Sequence, residues 1–291
     1  MANFTIGSIK TGAVVINGML NSSISNNLQQ VLLSGSGFID NSFIATVRGE
    51  PDISFTTNAI KAALAGLGGI SGLAFTGSTT YLWLQAIDGT VTRSGSNHYK
   101  ATLVAGLFVP RQLVASAGAA VTVSYDVALI SADGTTTPIA YATAALDAGD
   151  SGSDEAYVLG AVSLNGTALD DVSQVTVDFG LNIAKTGGTL YPKCVDIIKR
   201  QPTITIATSS LAVPIGWGIL GAAQTASDST IAFDDLTLGA SRGSSPITLT
   251  LDEGIMNPTT VGGSDGAIAQ AAIQYQPVWD GTTDVIALSG L

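Results

Sequence analysis

Arg48-Gly49-Glu50-Pro51-Asp52-Ile53-Ser54-Phe55-Thr56-Thr57 recurs as Lys199-Arg200-Gln201-Pro202-Thr203-Ile204-Thr205-Ile206-Ala207-Thr208. Working outward, three more pairs follow the same order. Gly106-Leu107-Phe108-Val109-Pro110 matches Gly254-Ile255-Met256-Asn257-Pro258, and Ile16-Asn17-Gly18 matches Leu164-Asn165-Gly166. Asp133-Gly134-Thr135-Thr136 matches Asp280-Gly281-Thr282-Thr283 near the end of each copy. The offsets are 151, 148, 148 and 147, a drift that loop insertions produce. Four markers in one order point to an internal duplication.

The chain of 291 residues is long enough for two domains with separate cores. The duplication divides it into residues 1–148 and 149–291. Between them lies Asp147–Ala156, an acidic Gly/Ser stretch without a large apolar side chain. It is short, so the two copies are expected to sit close together.

Strand patterns agree between the copies. Tyr99, Ala101, Leu103 and Ala105 alternate with other residues, as do Ile247, Leu249 and Leu251. Val121, Val123, Tyr125, Val127 and Leu129 are matched by Ala269, Ala271, Ile273 and Tyr275. Period-two alternation marks strands with one buried face. Turn signals at Asp88-Gly89, Asp133-Gly134 and Asp280-Gly281 punctuate them. One helix is expected after the first marker: Thr57 or Asn58 caps it, and Ile60, Ala63, Leu64 and Leu67 share a face. Gly66, Gly68 and Gly69 end it. Its counterpart has Ser209 and Ser210 as caps, but Pro214 and nearby glycines make it short or irregular. The expected fold is therefore mainly β, with one short helix per copy.

Hydrophobic residues form 46% of the chain and charged residues only 11%, about half the usual charged share. So few charges leave much of the surface to be covered by neighbouring subunits. The net charge of −11 argues against gripping nucleic acid through its phosphates. Residues 1–148 hold six basic and seven acidic side chains, and residues 149–291 hold five and fifteen. The copies thus share a pattern but not an electrostatic character. Met1–Leu20 shows no signal-peptide pattern, and no apolar run reaches the ~18 residues of a membrane span. A soluble protein made in a cytoplasm is expected.

Candidate chemistry is sparse. Cys194 is the single cysteine and His98 the single histidine, which leaves no disulfide and no multi-histidine or cysteine metal cage. His98 ends the expected loop Ser94-Gly95-Ser96-Asn97-His98. Gly262-Gly263-Ser264-Asp265-Gly266 has the spacing of a nucleophile elbow but lacks the strand-turn-helix setting, so a plain turn is the better reading. The Gly66–Gly72 run follows a helix rather than preceding one, and reads as a helix stop rather than a phosphate loop. Asp150-Ser151-Gly152-Ser153-Asp154-Glu155 does not fit an EF-hand and reads as a solvated linker. Asp170-Asp171, Asp234-Asp235 and Asp252-Glu253 are neighbours in sequence, so on a strand each pair points to opposite faces. Trp83, Trp217 and Trp279 are scattered and expected in cores or interfaces. The expectation is no enzyme, no catalytic residues, no cofactor and no metal.

The passage into Pro51-Asp52-Ile53-Ser54-Phe55-Thr56-Thr57 and a short amphipathic helix resembles the core of a bacteriophage tail tube domain. Ser94-Gly95-Ser96-Asn97-His98-Tyr99, Gly106-Leu107-Phe108-Val109-Pro110-Arg111 and the closing hairpin extend the resemblance. It covers most of residues 13–146 and, more weakly, 161–291. It implies two tandem tail-tube-like β-sandwich or half-barrel domains, each with one short flanking helix. In that family some subunits carry two fused domains, and three chains make a ring that mimics a hexamer. Rings stack into a hollow tail through which DNA passes. The resemblance implies self-association and contacts with tape measure, tail tip and terminator proteins. It also implies only transient DNA in the lumen, no membrane, and a place in the virion after synthesis in the host bacterial cytoplasm. Lumen-facing residues are not readable from sequence. The competing readings are a capsid-decoration or surface-layer protein and a tandem β-sandwich adhesin.

Overall fold

A computed structural model of the chain describes residues 3–34, 40, 43–87, 98–146, 156–218, 223–236, 243, 245–263, 269–279 and 285–291. Val121, Val123, Tyr125, Val127 and Leu129 are all buried, while Thr122, Ser124 and Asp126 between them are not. That alternation builds a strand with one face in the core, as do Ile247, Leu249 and Leu251.

The first copy begins with the hairpin β1 (Asn3–Thr11) and β2 (Val14–Ile16), then β3 (Met19–Ser25). The hairpin β4 (Leu28–Leu33) and β5 (Phe43–Gly49) follows, then β6 (Asp52–Thr57) and α1 (Ile60–Gly66). Three long strands and a short one close it: β7 (Leu73–Ile87), β8 (His98–Ser116), β9 (Thr122–Leu129) and β10 (Ile139–Ala144). The second copy starts with β11 (Tyr157–Leu164), β12 (Thr167–Leu169) and β13 (Val172–Asp178). The hairpin β14 (Leu181–Thr186) and β15 (Cys194–Arg200) leads to β16 (Thr203–Thr208) and α2 (Ala212–Gly216). The copy ends with β17 (Gln224–Ala226), β18 (Ser229–Asp235), β19 (Ile247–Leu251), β20 (Gly254–Gly262), β21 (Gln270–Pro277) and β22 (Ile286–Ser289). The fold is mainly β, in antiparallel sheets.

Pairing repeats register for register. Met19 and Asn21 pair with Thr57 and Thr56 across a bulge, and Val172 and Gln174 pair with Thr208 and Ala207 across another. Ile9 pairs with Leu82 and Val162 with Ile231; each pair stands beside a bulge. Pro110 pairs with Tyr125 and Pro258 with Ile273, again beside bulges. Leu28 pairs with Gly49 and Leu181 with Arg200. The matching offsets are 153 at the front, 151 at the Pro51 and Pro202 marker, and 147 for β10 and β22. In the first copy β7 and β8 run unbroken, so two layers count as one sheet. In the second copy the equivalents split at 227–228 and 252–253, and the layer β12-β11-β18-β19-β22 is counted separately.

One expected marker pair is corrected. Asn165-Gly166 forms the tight turn between β11 and β12, so its equivalent is the turn at Gly12 between β1 and β2. Asn17-Gly18 corresponds instead to Asp170-Asp171, because Thr57 Oγ1 donates to Asn17 O and Thr208 Oγ1 to Asp170 O, at 2.8 and 2.9 Å. Asn-Gly is common wherever a positive φ is needed, so a three-residue match misled.

The helix caps are also corrected. Ala59 is the N-cap of α1 and Leu211 that of α2, without a side-chain cap bond in either. Thr57 Oγ1 instead accepts the Ala59 N–H, and Thr208 Oγ1 the Ser210 N–H, each at 3.0 Å. These hydroxyls tie the chain to the preceding turn before the helix begins. Ile60, Ala63, Leu64 and Leu67 are buried, and the turn at Gly68 and Gly69 (φ +83° and +59°) stops α1. α2 is a single short turn around Pro214. The turns at Asp88-Gly89 and Asp280-Gly281, the linker 147–155, and Ser94–Asn97 lie outside the described residues.

Candidate functional site: the junction between the copies and its open ends

The candidate chemical residues do not converge. His98 is the buried first residue of β8 rather than part of a loop. Gly262 ends β20, and Ser264–Gly266 lie outside the described residues. Asp171 has φ +51° in the turn before β13, Asp234 and Asp235 sit on β18, and Asp252-Glu253 joins β19 to β20. Cys194 is exposed at the start of β15. Among the described residues no three His, Cys, Asp or Glu side chains gather as for a metal. No described helix is long and apolar enough to cross a membrane. Trp83 is buried in the core, Trp217 is half-buried against it, and Trp279 is exposed.

Burial raises the Tyr275 hydroxyl to about 12; it donates to Asp252 O at 3.0 Å. Burial also pushes up the Tyr125 hydroxyl, which lies parallel to Phe55 and donates to Ala63 O. Both are core anchors rather than reactive groups.

The most elaborated region is where the copies meet. Residues Gln112–Ser116 at the end of β8 pair antiparallel with Gln174–Asp178 of β13, so one sheet runs through both copies. The apolar core is likewise continuous across them. The expectation of close but separate neighbours becomes a shared sheet, because β13 leaves one edge free of its own copy and β8 extends past its own. Val121 N–H donates to Tyr157 O at 2.8 Å, and Phe179 N–H to Arg111 O at 3.0 Å. Arg111 binds Asp126 Oδ2 through Nε and Leu181 O through Nη1, both at 2.6 Å.

The β14–β15 hairpin reaches over the first copy. Its loop accepts the Gly49 N–H at Leu190 O and the Ser131 N–H at Pro192 O, each at 2.8 Å. Lys185 Nζ pairs with Asp52 Oδ1. Gly134 and Gly188, both at positive φ, let the backbones touch: a Cβ on Gly134 would stand 2.6 Å from the Gly188 Cα. Beside them, the N–H groups of Thr136 and Thr135, the Thr136 hydroxyl and the Ser131 hydroxyl hold the Asp133 carboxyl well below the usual carboxylate range.

Each half of this junction has a counterpart whose matching edge pairs with no other strand among the described residues. β3 corresponds to β13 but pairs only with β6; the end of β20 corresponds to the end of β8 but pairs only with β21. Side chains follow suit. Leu113 is 2% exposed and its counterpart Val261 45%; Leu181 is 3% and Leu28 48%; Tyr157 is 2% and Phe4 38%. At these three positions apolar character is kept where burial is lost. The β4–β5 hairpin also exposes Val31, Leu32, Leu33, Phe43, Ile44 and Val47.

Fold and junction define the class: a mainly β protein of two repeats fused through one sheet, with both halves of the joining surface presented again at its ends. No protein-family model and no curated protein matches the sequence. Sequence reading missed Phe4, Leu28 and Val261. The available signal was their apolar partners at the matched positions, at an offset of 148 for Val261 and, for Phe4 and Leu28, legible only with the correct offset of 153.

Proposed function

We propose that this protein is a structural subunit that self-assembles into stacked rings forming a hollow tube, as its resemblance to phage tail tube domains implies, and that it is not an enzyme. One observation carries the self-assembly: Leu113, Leu181 and Tyr157, buried at the internal junction, have the apolar and exposed counterparts Val261, Leu28 and Phe4. A monomer gains nothing from exposed leucine, valine and phenylalanine there, whereas burying each such side chain is worth about 1.5–3 kcal/mol. The joining surfaces are different halves, so association is head-to-tail. Head-to-tail association closes into rings when the rotation allows it and otherwise makes filaments.

The acidic balance suits a conduit, since like charge keeps a phosphate backbone from sticking to a wall. Three chains per ring, each giving two similar lobes, is the arrangement that the resemblance implies. A surface-layer protein would share the assembly logic but spread into sheets. Negative-stain microscopy of concentrated protein tests the reading. Hollow tubes or stacked rings are expected; flat sheets or a persistent monomer would contradict it.

A further inference from the structure

The internal junction is a template, so its open counterparts can be matched residue by residue. We infer that β20 of one molecule adds antiparallel to β3 of a second copy, with Thr260 opposite Ser25, Val261 opposite Ile24, and Gly262 opposite Ser23. This inference rests on the self-assembly proposed above and specifies its contact. The register follows from the observed pairs Gln112–Asp178, Leu113–Val177 and Val114–Thr176. The matching offset is 148 for the β8 and β20 side and 153 for the β3 and β13 side.

Both edges can accept a strand. Ser23 and Ser25 are exposed, and a Cβ on Gly262 would meet nothing within 4 Å. Unpaired edge N–H and C=O groups are what a strand from another molecule satisfies. Asn27 has φ +42° where Gly180 has φ +60°, so the chain leaves β3 as it leaves β13. The β4–β5 hairpin follows β3, as β14–β15 follows β13.

The same matching seats that hairpin. A cleft of about 670 Å³ lies on the second copy, lined by Arg200, Gln201, Pro202, Thr203, Ile255 and Trp279 among others. On the first copy the equivalents of Arg200, Thr203 and Trp279 are Gly49, Asp52 and Ser131, the residues that hold the β14–β15 hairpin. Leu32 stands for Lys185 and Thr203 for Asp52, so an ion pair inside the chain becomes an uncharged contact between chains. Trp279, exposed on the isolated molecule, stands for Ser131, which the hairpin loop buries. The difference separates the two junctions: a β4–β5 hairpin brought to the first copy would leave Asp52 without its lysine.

Paired cysteines test the register, in a Cys194→Ser background to remove the exposed native thiol. Chains carrying Ser25→Cys with Thr260→Cys, or Ser23→Cys with Gly262→Cys, are oxidised after assembly. Disulfide-linked ladders are expected from at least one in-register chain, since directly opposite residues of an antiparallel pair have Cα atoms about 4.5–5.5 Å apart, within the span of a disulfide. The slipped combination Ser23→Cys with Thr260→Cys is expected to link at least tenfold less. Hydrogen exchange on the unaltered protein reads the same contact independently of the cysteines. Amides of Asn21–Ser25 and Thr260–Gly262 are expected to slow at least tenfold on assembly. Assemblies that form with neither in-register link nor slowed amides would overturn this contact while leaving self-assembly intact. Absence of any assembly would overturn both.

Discussion

Thr57 and Thr208 each work as a two-way peg. The hydroxyl donates to a carbonyl of the preceding turn and accepts an N–H at the start of the helical turn, in a buried position. Replacement by valine keeps the shape but leaves a buried donor and acceptor unsatisfied, at about 1–3 kcal/mol. Thr57→Val and Thr208→Val are each expected to lower the unfolding free energy measured in urea by that amount; no change at either would refute the peg. Tyr275 gives a pH prediction. Its folded value of about 12 lies above the ordinary 10, so the folded state holds its proton longer than the unfolded chain. Its contribution is whole below pH 10 and is lost as pH rises towards 12. Alkaline titration followed by tyrosinate absorbance is expected to show Tyr275 ionising late, with stability falling over that window. In Tyr275→Phe the loss over the window is expected to shrink.

The two junction strands give the sharpest contrast at the level of elements. Leu113 on β8 and Val261 on β20 hold matching positions, one sealed inside the molecule and the other open. Leu113→Asp buries a charge against β13 and is expected to unfold the protein or cost several kcal/mol. Val261→Asp is expected to leave the melting temperature of the dilute protein within a few degrees while abolishing assembly. Circular dichroism melts and sedimentation measure both, and unimpaired assembly of Val261→Asp would count against the open-edge account. The strands themselves were legible in sequence, because the alternation of Val121 to Leu129 records a buried face directly. The duplication was legible through Pro51 and Pro202 because each immediately precedes a matched strand. The shared sheet was not, since nothing in Gln112–Ser116 or Gln174–Asp178 distinguishes a partner within one copy from a partner in the next. The alignment also slipped at Asn17-Gly18. A positive-φ turn is a local requirement that Asn-Gly and Asp-Asp both meet, so identity there does not report position.

On the proposed reading, the molecule as a whole is a short length of a longer repeating object. A sheet passes from one copy to the next, and the proposal joins its β3 and β20 edges between molecules. The low charged content of 11% fits a chain whose surfaces are covered in use, and the divergence in charge fits copies with similar folds but different neighbours. Lys185 and Asp52 join the copies within the chain, whereas Leu32 and Thr203 hold those places at the ends. The inter-chain contact should therefore resist salt: raising it from 50 mM to 500 mM is expected to leave assembly intact or favour it. Dissolution by salt would mean that charge, not apolar burial, drives the contact.

The central claim is that copies join by repeating the internal junction. Image averages of the assembled protein, with the number of chains per ring set by native mass spectrometry, test it most directly. The account predicts closed rings with twice as many evenly spaced lobes as chains. A two-fold symmetric dimer, or rings whose lobes are joined unequally within and between chains, would contradict it.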